Sequence, residues 1–383
     1  MLKKFVLRNY KNFKEDIIIN FGNVGGYQFN PECITNGLIS KMIIYGRNAT
    51  GKTNLGLGLL DISRSLMGTP FRNDGVYLNA DSEEPCAGFS YTFLFDGQAL
   101  LYEYKKSSEI KLCEEKLFIN GEKIFSIDFE TKQYDFANLK LIEAETVIPE
   151  RYIQYLSEIE SFGAIDEVVI PFLRWLINNT AFKGGSVLMK LNDYIKRMMI
   201  VTVSGPTTFR TRNMEENFAE FLDKDDNLKN FEEFLNIMGI ECKLLIKVLP
   251  DGHKQLYFNH KKPVLFYDTA SSGTLALVSL YRRFIVAGKT ASFMYFDEFD
   301  AFYHYEMAEN VIRFFKKKYP ACQIILTTHN TNLMTNRLMR PDCLQILSRK
   351  GELTALCNAT QRELREGHNL EKMYIGGEFD RYE

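Results

Sequence analysis

Paired cysteines are missing from this chain. Its seven cysteines (33, 86, 113, 242, 322, 343 and 357) are odd in number, widely scattered and never arranged as C-x-x-C. That usage argues against a disulfide framework or a zinc motif and fits a reducing compartment. Long hydrophobic runs are missing too. No stretch approaches the roughly 18 apolar residues that a membrane-spanning helix needs, and Met1-Leu2-Lys3-Lys4-Phe5 carries no apolar leader core. The expected setting is the cytoplasm, without a membrane partner. A net charge of −2 excludes a broad polybasic surface and leaves room only for a local basic groove. Internal repeats, low-complexity tracts and sustained heptads are likewise absent, which excludes repeat architectures and long coiled coils. What remains is ordinary globular composition, 45% apolar and 25% charged over 383 residues. That is ample for a large core in two or three domains, or in one head with insertions.

The most informative stretch runs from Met42 to Asn54. Met42-Ile43-Ile44-Tyr45 is a short apolar strand that enters Gly46-Arg47-Asn48-Ala49-Thr50-Gly51-Lys52-Thr53-Asn54, and Leu55, Leu59 and Ile62 then mark one helix face. Strand, G-x-x-x-x-G-K-[ST] and helix in that order define a phosphate-binding loop. Gly46 and Gly51 let the backbone curl so that its N–H groups and the helix N-terminus face an anion. Lys52 is expected to reach the β- and γ-phosphates, with the Thr53 hydroxyl on Mg²⁺. The ligand expected is ATP, although the sequence does not separate ATP from GTP.

Around this stretch the pattern alternates between β and α. Phe5–Phe13 and Ile17–Phe21 resemble strands, and Phe89, Tyr91, Phe93 and Phe95 alternate as a core-facing strand before an Asp96-Gly97 turn. Asn120-Gly121 marks a second hairpin. From Arg151 to Gly239 the period becomes helical, as in Val168, Val169, Phe172, Leu173, Leu176 and Ile177, with Trp175 expected in the core. A hairpin over 242–258 follows, then buried parallel strands at Phe293–Phe296 and Gln323–Leu326 with a helix between them. Lys316-Lys317-Lys318 ends that helix. A solvated run complementing the helix dipole is the simpler reading of it, and a nucleic-acid contact is the alternative.

Three further motifs carry chemistry. The strand Phe293–Phe296 delivers Asp297, which can hold Mg²⁺, and Glu298, which can orient or deprotonate an attacking water. His329 ends Leu326-Thr327-Thr328 and is placed to donate to a γ-phosphate. Ser271-Ser272-Gly273-Thr274 opens a helix, where capping alone explains the serine.

In their order, these motifs resemble the ABC-type ATPase superfamily, in particular its SMC/RecF/OLD branch. Phe5-x-Leu7-x-Asn9-Tyr10-Lys11-Asn12-Phe13 is similar to that branch's opening strand. Ser271–Thr274 departs from LSGGQ but matches the shorter S-x-G-T signature, and His304 stands where transporters and SMC proteins place an aspartate. His304 and the tail Tyr374-Ile375-Gly376-Gly377-Glu378-Phe379 resemble the short AAA ATPases of bacterial phage-defence and abortive-infection systems. The resemblance implies an α/β, ABC-type P-loop ATPase head with a β-rich lobe and an inserted helical lobe. Its expected divisions are an N-terminal ATPase lobe (1–145), a helical insertion (146–240) and a C-terminal lobe (241–383) with signature, Walker B acids and switch histidine. It also implies that Glu298, His329 and Lys52 are catalytic and that Thr53 and Asp297 hold Mg²⁺. Gly46–Asn54, Ser271–Thr274 and His304 would line ATP sandwiched in a homodimer of heads. Only about fifty residues follow His329, too few for an attached nuclease domain. The expected function is therefore an antiphage sensor or regulator acting on a separate nuclease or toxin, with a RecF-like clamp on duplex DNA as the alternative.

Overall fold

The computed structural model describes residues 1–68, 76–144, 146–161, 169–202, 212–287 and 290–383. Two large sheets organise it. The first is mainly parallel and runs in the order Met198–Thr202, Phe293–Asp297, Gln323–Thr328, Lys41–Tyr45, Leu344–Leu347, with Leu353–Ala355 antiparallel at the edge. Its central strands are buried along their whole length, as expected for strands covered on both faces. The second sheet is antiparallel, in the order Gln133–Asp135, Glu122–Asp128, Leu112–Ile119, Gln98–Lys106, Ala87–Phe95, Leu2–Arg8, Ile17–Asn20. Alternate residues of Ala87–Phe95 face the core, so Phe89, Tyr91 and Phe93 are buried. The turns Asp96-Gly97 and Asn120-Gly121 close hairpins, with all four residues at positive φ, as two-residue type I′ loops require.

A short helix, Lys52–Leu59, lies between the two sheets. Its glycines make that possible. A Cβ on Gly56 would fall 2.5 Å from the Tyr295 ring of the parallel sheet, and one on Gly58 would fall 2.6 Å from Leu7 of the antiparallel sheet. The Tyr91 hydroxyl donates to the Gly58 carbonyl at 2.9 Å. Elsewhere a buried polar tie replaces the helix. Gln323 exchanges two 2.8 Å hydrogen bonds with the Leu2 backbone and accepts from Tyr194 Oη at 2.6 Å.

Residues 149–237 contain helices Pro149–Ser161, Phe172–Asn179, Val187–Lys196, Arg212–Leu222 and Asn227–Ile237. They also contain the strand Met198–Thr202, which pairs in parallel with Phe293–Asp297. This differs from the purely helical expectation. Met-Met-Ile-Val-Thr is a short apolar run, and periodicity alone cannot separate a buried strand from a helical turn there. Phe172–Asn179 is helical but Val169 precedes the helix, and Val168 lies outside the described residues. Trp175 is half-buried, stacked on Phe172. The Lys316–Lys318 run is not uniformly solvated either. Lys316 turns inward and donates to Leu338 O and Asn30 Oδ1, both at 2.7 Å, while Lys317 and Lys318 are exposed. Among the described residues no helix is long and apolar enough to cross a membrane.

Candidate functional site

The strand Lys41–Tyr45 ends on Gly46, whose N–H donates to Thr328 O at 3.3 Å, so the loop starts against the neighbouring strand end. Ala49 (φ 65°) and Gly51 (φ 99°) then curl the backbone into the helix. Gly51 is required twice: its φ strains any side chain, and a Cβ there would collide with Asn12 at 2.2 Å. Asn12 braces the loop from outside. Its amide donates to Thr50 O (3.2 Å) and its carbonyl accepts from Asn54 Nδ2 (2.8 Å). Asn54, expected to contact the nucleotide, therefore spends its amide on this brace. Arg47 and Asn48 are exposed at the loop's tip, and Arg47 pairs with the Glu383 carboxylate.

Lys52 is buried, and its ammonium donates to the carbonyls of Gly46 (2.8 Å) and Arg47 (3.1 Å). Burial lowers its pKa, and the charges of Glu298 and Asp297 oppose that shift. Thr53 Oγ1 donates to Asp297 Oδ2 at 2.6 Å, and the other Asp297 oxygen accepts from Thr327 Oγ1 at 3.0 Å. Thr327 Oγ1 in turn accepts from the Glu298 N–H at 2.8 Å. Glu298 holds a left-handed backbone (φ 47°), which is costly for a non-glycine residue. Its carboxylate, nearly half exposed, stands 3.9 Å from Lys52 Nζ. A hydroxyl beside a carboxylate suits a hard, oxygen-seeking cation such as Mg²⁺. The N–H-lined curl ahead of a helix suits a phosphate.

His329 is exposed at the end of Gln323–Thr328, in the same neighbourhood. The sequence reading passed over Asp300. This buried carboxylate accepts from Thr328 Oγ1 at 2.8 Å, and burial raises its pKa while that hydrogen bond, and more weakly the neighbouring His329, offsets part of the rise. The signal was available: Asp297-Glu298-Phe299-Asp300 sets a third acid two residues beyond the pair.

The other predicted residues stand apart from this cluster. Ser271 caps the helix Ser272–Ala287, accepting from Thr274 N at 3.1 Å, and Ser271 and Ser272 are exposed. A Cβ on Gly273 would sit 3.3 Å from Phe302 O, so this helix start abuts the loop that follows Asp300. His304 is the exposed residue ahead of the helix Tyr305–Lys318, with Nδ1 3.7 Å from Glu306. Among the described residues no hydrogen bond or ion pair joins Ser271–Thr274 or His304 to Gly46–Thr53.

Fold and site together define an α/β P-loop domain with its phosphate loop and acidic strand end side by side. The family model described as AAA domain, putative AbiEii toxin, type IV TA system matches residues 41–335, and the chain belongs to that family. Solved structures similar to it include an Smc head bound to the C-terminal winged-helix domain of ScpA. That match has 14% identity and a TM-score of 0.45, covering 92% of this chain and 95% of that one. The SMC head domain from Thermotoga maritima gives 14% identity and a TM-score of 0.45, covering 92% and 98%. An Smc head with an extended coiled coil, bound to the C-terminal domain of ScpA derived from Pyrococcus furiosus, gives 13% and 0.44, covering 92% and 95%. No curated protein matches the chain.

Proposed function

We propose that this protein binds ATP with Mg²⁺, hydrolyses it, and serves as the sensor or regulator of an antiphage defence module in the cytoplasm, governing a separate effector such as a nuclease or toxin. The observation that carries the ATPase reading is the meeting of Lys52, Thr53, Asp297 and Glu298 around one point. Thr53 and Asp297 would hold the cation. Lys52 would exchange its two neutral carbonyl acceptors for anionic phosphate oxygens, adding a full ion pair to the hydrogen bonds. Glu298 would orient or deprotonate the attacking water, and His329 would donate to the γ-phosphate. Asp300 would steady the strand end that bears His329, through Thr328.

The exposed Ser271 and Ser272 at this helix start support a head-to-tail homodimer in which one subunit's signature, Ser271–Thr274, faces the other's phosphate loop, with His304 near that interface. A serine hydroxyl at a helix N-terminus suits anionic oxygens. The family's description, a putative toxin of a type IV toxin–antitoxin system, supports the defence setting over DNA repair.

The test is native mass spectrometry and ATPase kinetics on Glu298→Gln, expressed with its neighbouring genes. Turnover should fall by about 100-fold or more while ATP binding persists, and ATP should accumulate dimers that retain a second gene product. Unchanged turnover would remove Glu298 from the chemistry. A lone ATP-dependent homodimer that captures only added duplex DNA, with steep salt dependence, would replace the defence reading with the RecF-like clamp.

A further inference from the structure

Three segments distant in sequence converge at one end of the antiparallel sheet: the loop before Ala87–Phe95, the strand Leu112–Ile119 and the turn after Glu122–Asp128. There Cys86 Sγ, Cys113 Sγ and a Glu130 carboxylate oxygen all lie within 4.8 Å of one another. Each donor sits on anchored backbone. Buried Asn9 donates its amide to the carbonyls of Glu84 (2.8 Å) and Cys86 (3.0 Å). Cys113 O accepts from Phe129 N at 2.9 Å, and Glu130 N donates to Asp128 Oδ1 at 3.0 Å. Neither cysteine is in a disulfide; Cys113 is buried, Cys86 half-buried and Glu130 exposed.

We propose that Cys86, Cys113 and Glu130 form a binding site for one thiophilic divalent cation, zinc fitting best. In a tetrahedral zinc site, sulfurs at about 2.3 Å and an oxygen at about 2.0–2.2 Å from the metal stand roughly 3.5–3.8 Å apart, inside the observed limit. Two sulfurs disfavour Mg²⁺ and Ca²⁺, which take all-oxygen shells, and favour softer ions. The exposed Glu130 side leaves the fourth vertex to water. Burial and the adjoining Cys113 thiol push Cys86 up to about 12. As the two S–metal bonds form, each thiol gives one proton to solvent. The site's net charge is then unchanged, because the cation replaces those two protons beside an existing carboxylate. The bound ion would clasp the three segments together, which sequence spacing alone argued against.

The experiment uses the full chain, reduced and stripped of metal, titrated with Zn²⁺ against a chromophoric chelator and with Co²⁺ by absorption. One equivalent should bind per chain, two protons should be released, the Co²⁺ complex should show a thiolate charge-transfer band, and the melting temperature should rise. Cys86→Ser should lose at least about 100-fold in affinity and the exposed Glu130→Gln about tenfold. Cys33→Ser should bind as wild type does, because the other adjoining thiol pair, Cys33 and Cys343, is sealed in the core. Absence of stoichiometric binding, a Co²⁺ spectrum without the thiolate band, or undiminished affinity in Cys86→Ser would overturn the assignment.

Discussion

Glu115 offers a quantitative test of how the β-rich lobe is held to the helices beside it. It is fully buried on Leu112–Ile119 and accepts three hydrogen bonds: Tyr102 Oη (3.0 Å), Phe172 N (2.7 Å) and Leu173 N (2.8 Å). The last two are orphan donors at the start of Phe172–Asn179, where a negative charge is favoured. Burial nevertheless dominates and raises the carboxyl from its ordinary 4.5 to about 7. The folded chain therefore keeps a proton that the unfolded chain releases across that interval. Stability falls as pH rises from about 4.5 to about 7 and is level above it. At 1.36 kcal/mol per pH unit, the interval is worth roughly 3 kcal/mol. Glu115→Gln removes the titration but faces one N–H with its own NH₂. It should be less stable than wild type at about pH 5, by roughly 1–2 kcal/mol. By about pH 8 that deficit should vanish or reverse, because only the wild type has lost stability. Urea midpoints for both proteins across this range provide the measurement, since titrations elsewhere are common to both and cancel in the difference. Parallel pH profiles for the two proteins would refute the argument.

Two further substitutions probe the phosphate loop. Gly56→Ala should cost about 1–3 kcal/mol of stability by overpacking Tyr295. It should also weaken ATP binding more than Gly58→Ala does, because Tyr295 Oη donates to Lys52 O at 2.5 Å; melting temperatures and nucleotide titrations of the pair decide this. Asn12→Ala removes both bonds that brace Thr50 and Asn54. It should lower ATP affinity by about tenfold, roughly 1.4 kcal/mol, with little change in melting temperature, and equal affinity would show that the loop holds its curl unaided.

Much of this was legible in the residue order, because the signals were local. The glycines and Lys52-Thr53 of the phosphate loop, the apolar run ending in Asp297-Glu298, and the Asn-Gly and Asp-Gly turns each state their conformation within a few residues. What escaped depended on neighbours far along the chain. Met198–Thr202 is a strand only because Phe293–Asp297 offers it an edge. Lys316 is buried because Asn30, Glu32 and Leu338 O receive its ammonium. Asn54 turns to Asn12, and Asp300 gains meaning only once Thr328 is seen beside it. Cys86 and Cys113 looked unrelated because a hairpin separates them in sequence and then brings their ends together.

The pair of bare positions on Lys52–Leu59 has a mechanical consequence. Where a helix meets its neighbours through long side chains, small displacements are absorbed by rotamer changes. Here the backbone at Gly56 and Gly58 rests directly on Tyr295 and Leu7, leaving little compliance in either direction. A shift of the lysine-bearing helix by a fraction of an ångström must move one sheet relative to the other, so the helix works as a rigid shim. Strain arising at the phosphate loop would then reach the far strands of the antiparallel sheet as a rigid-body tilt.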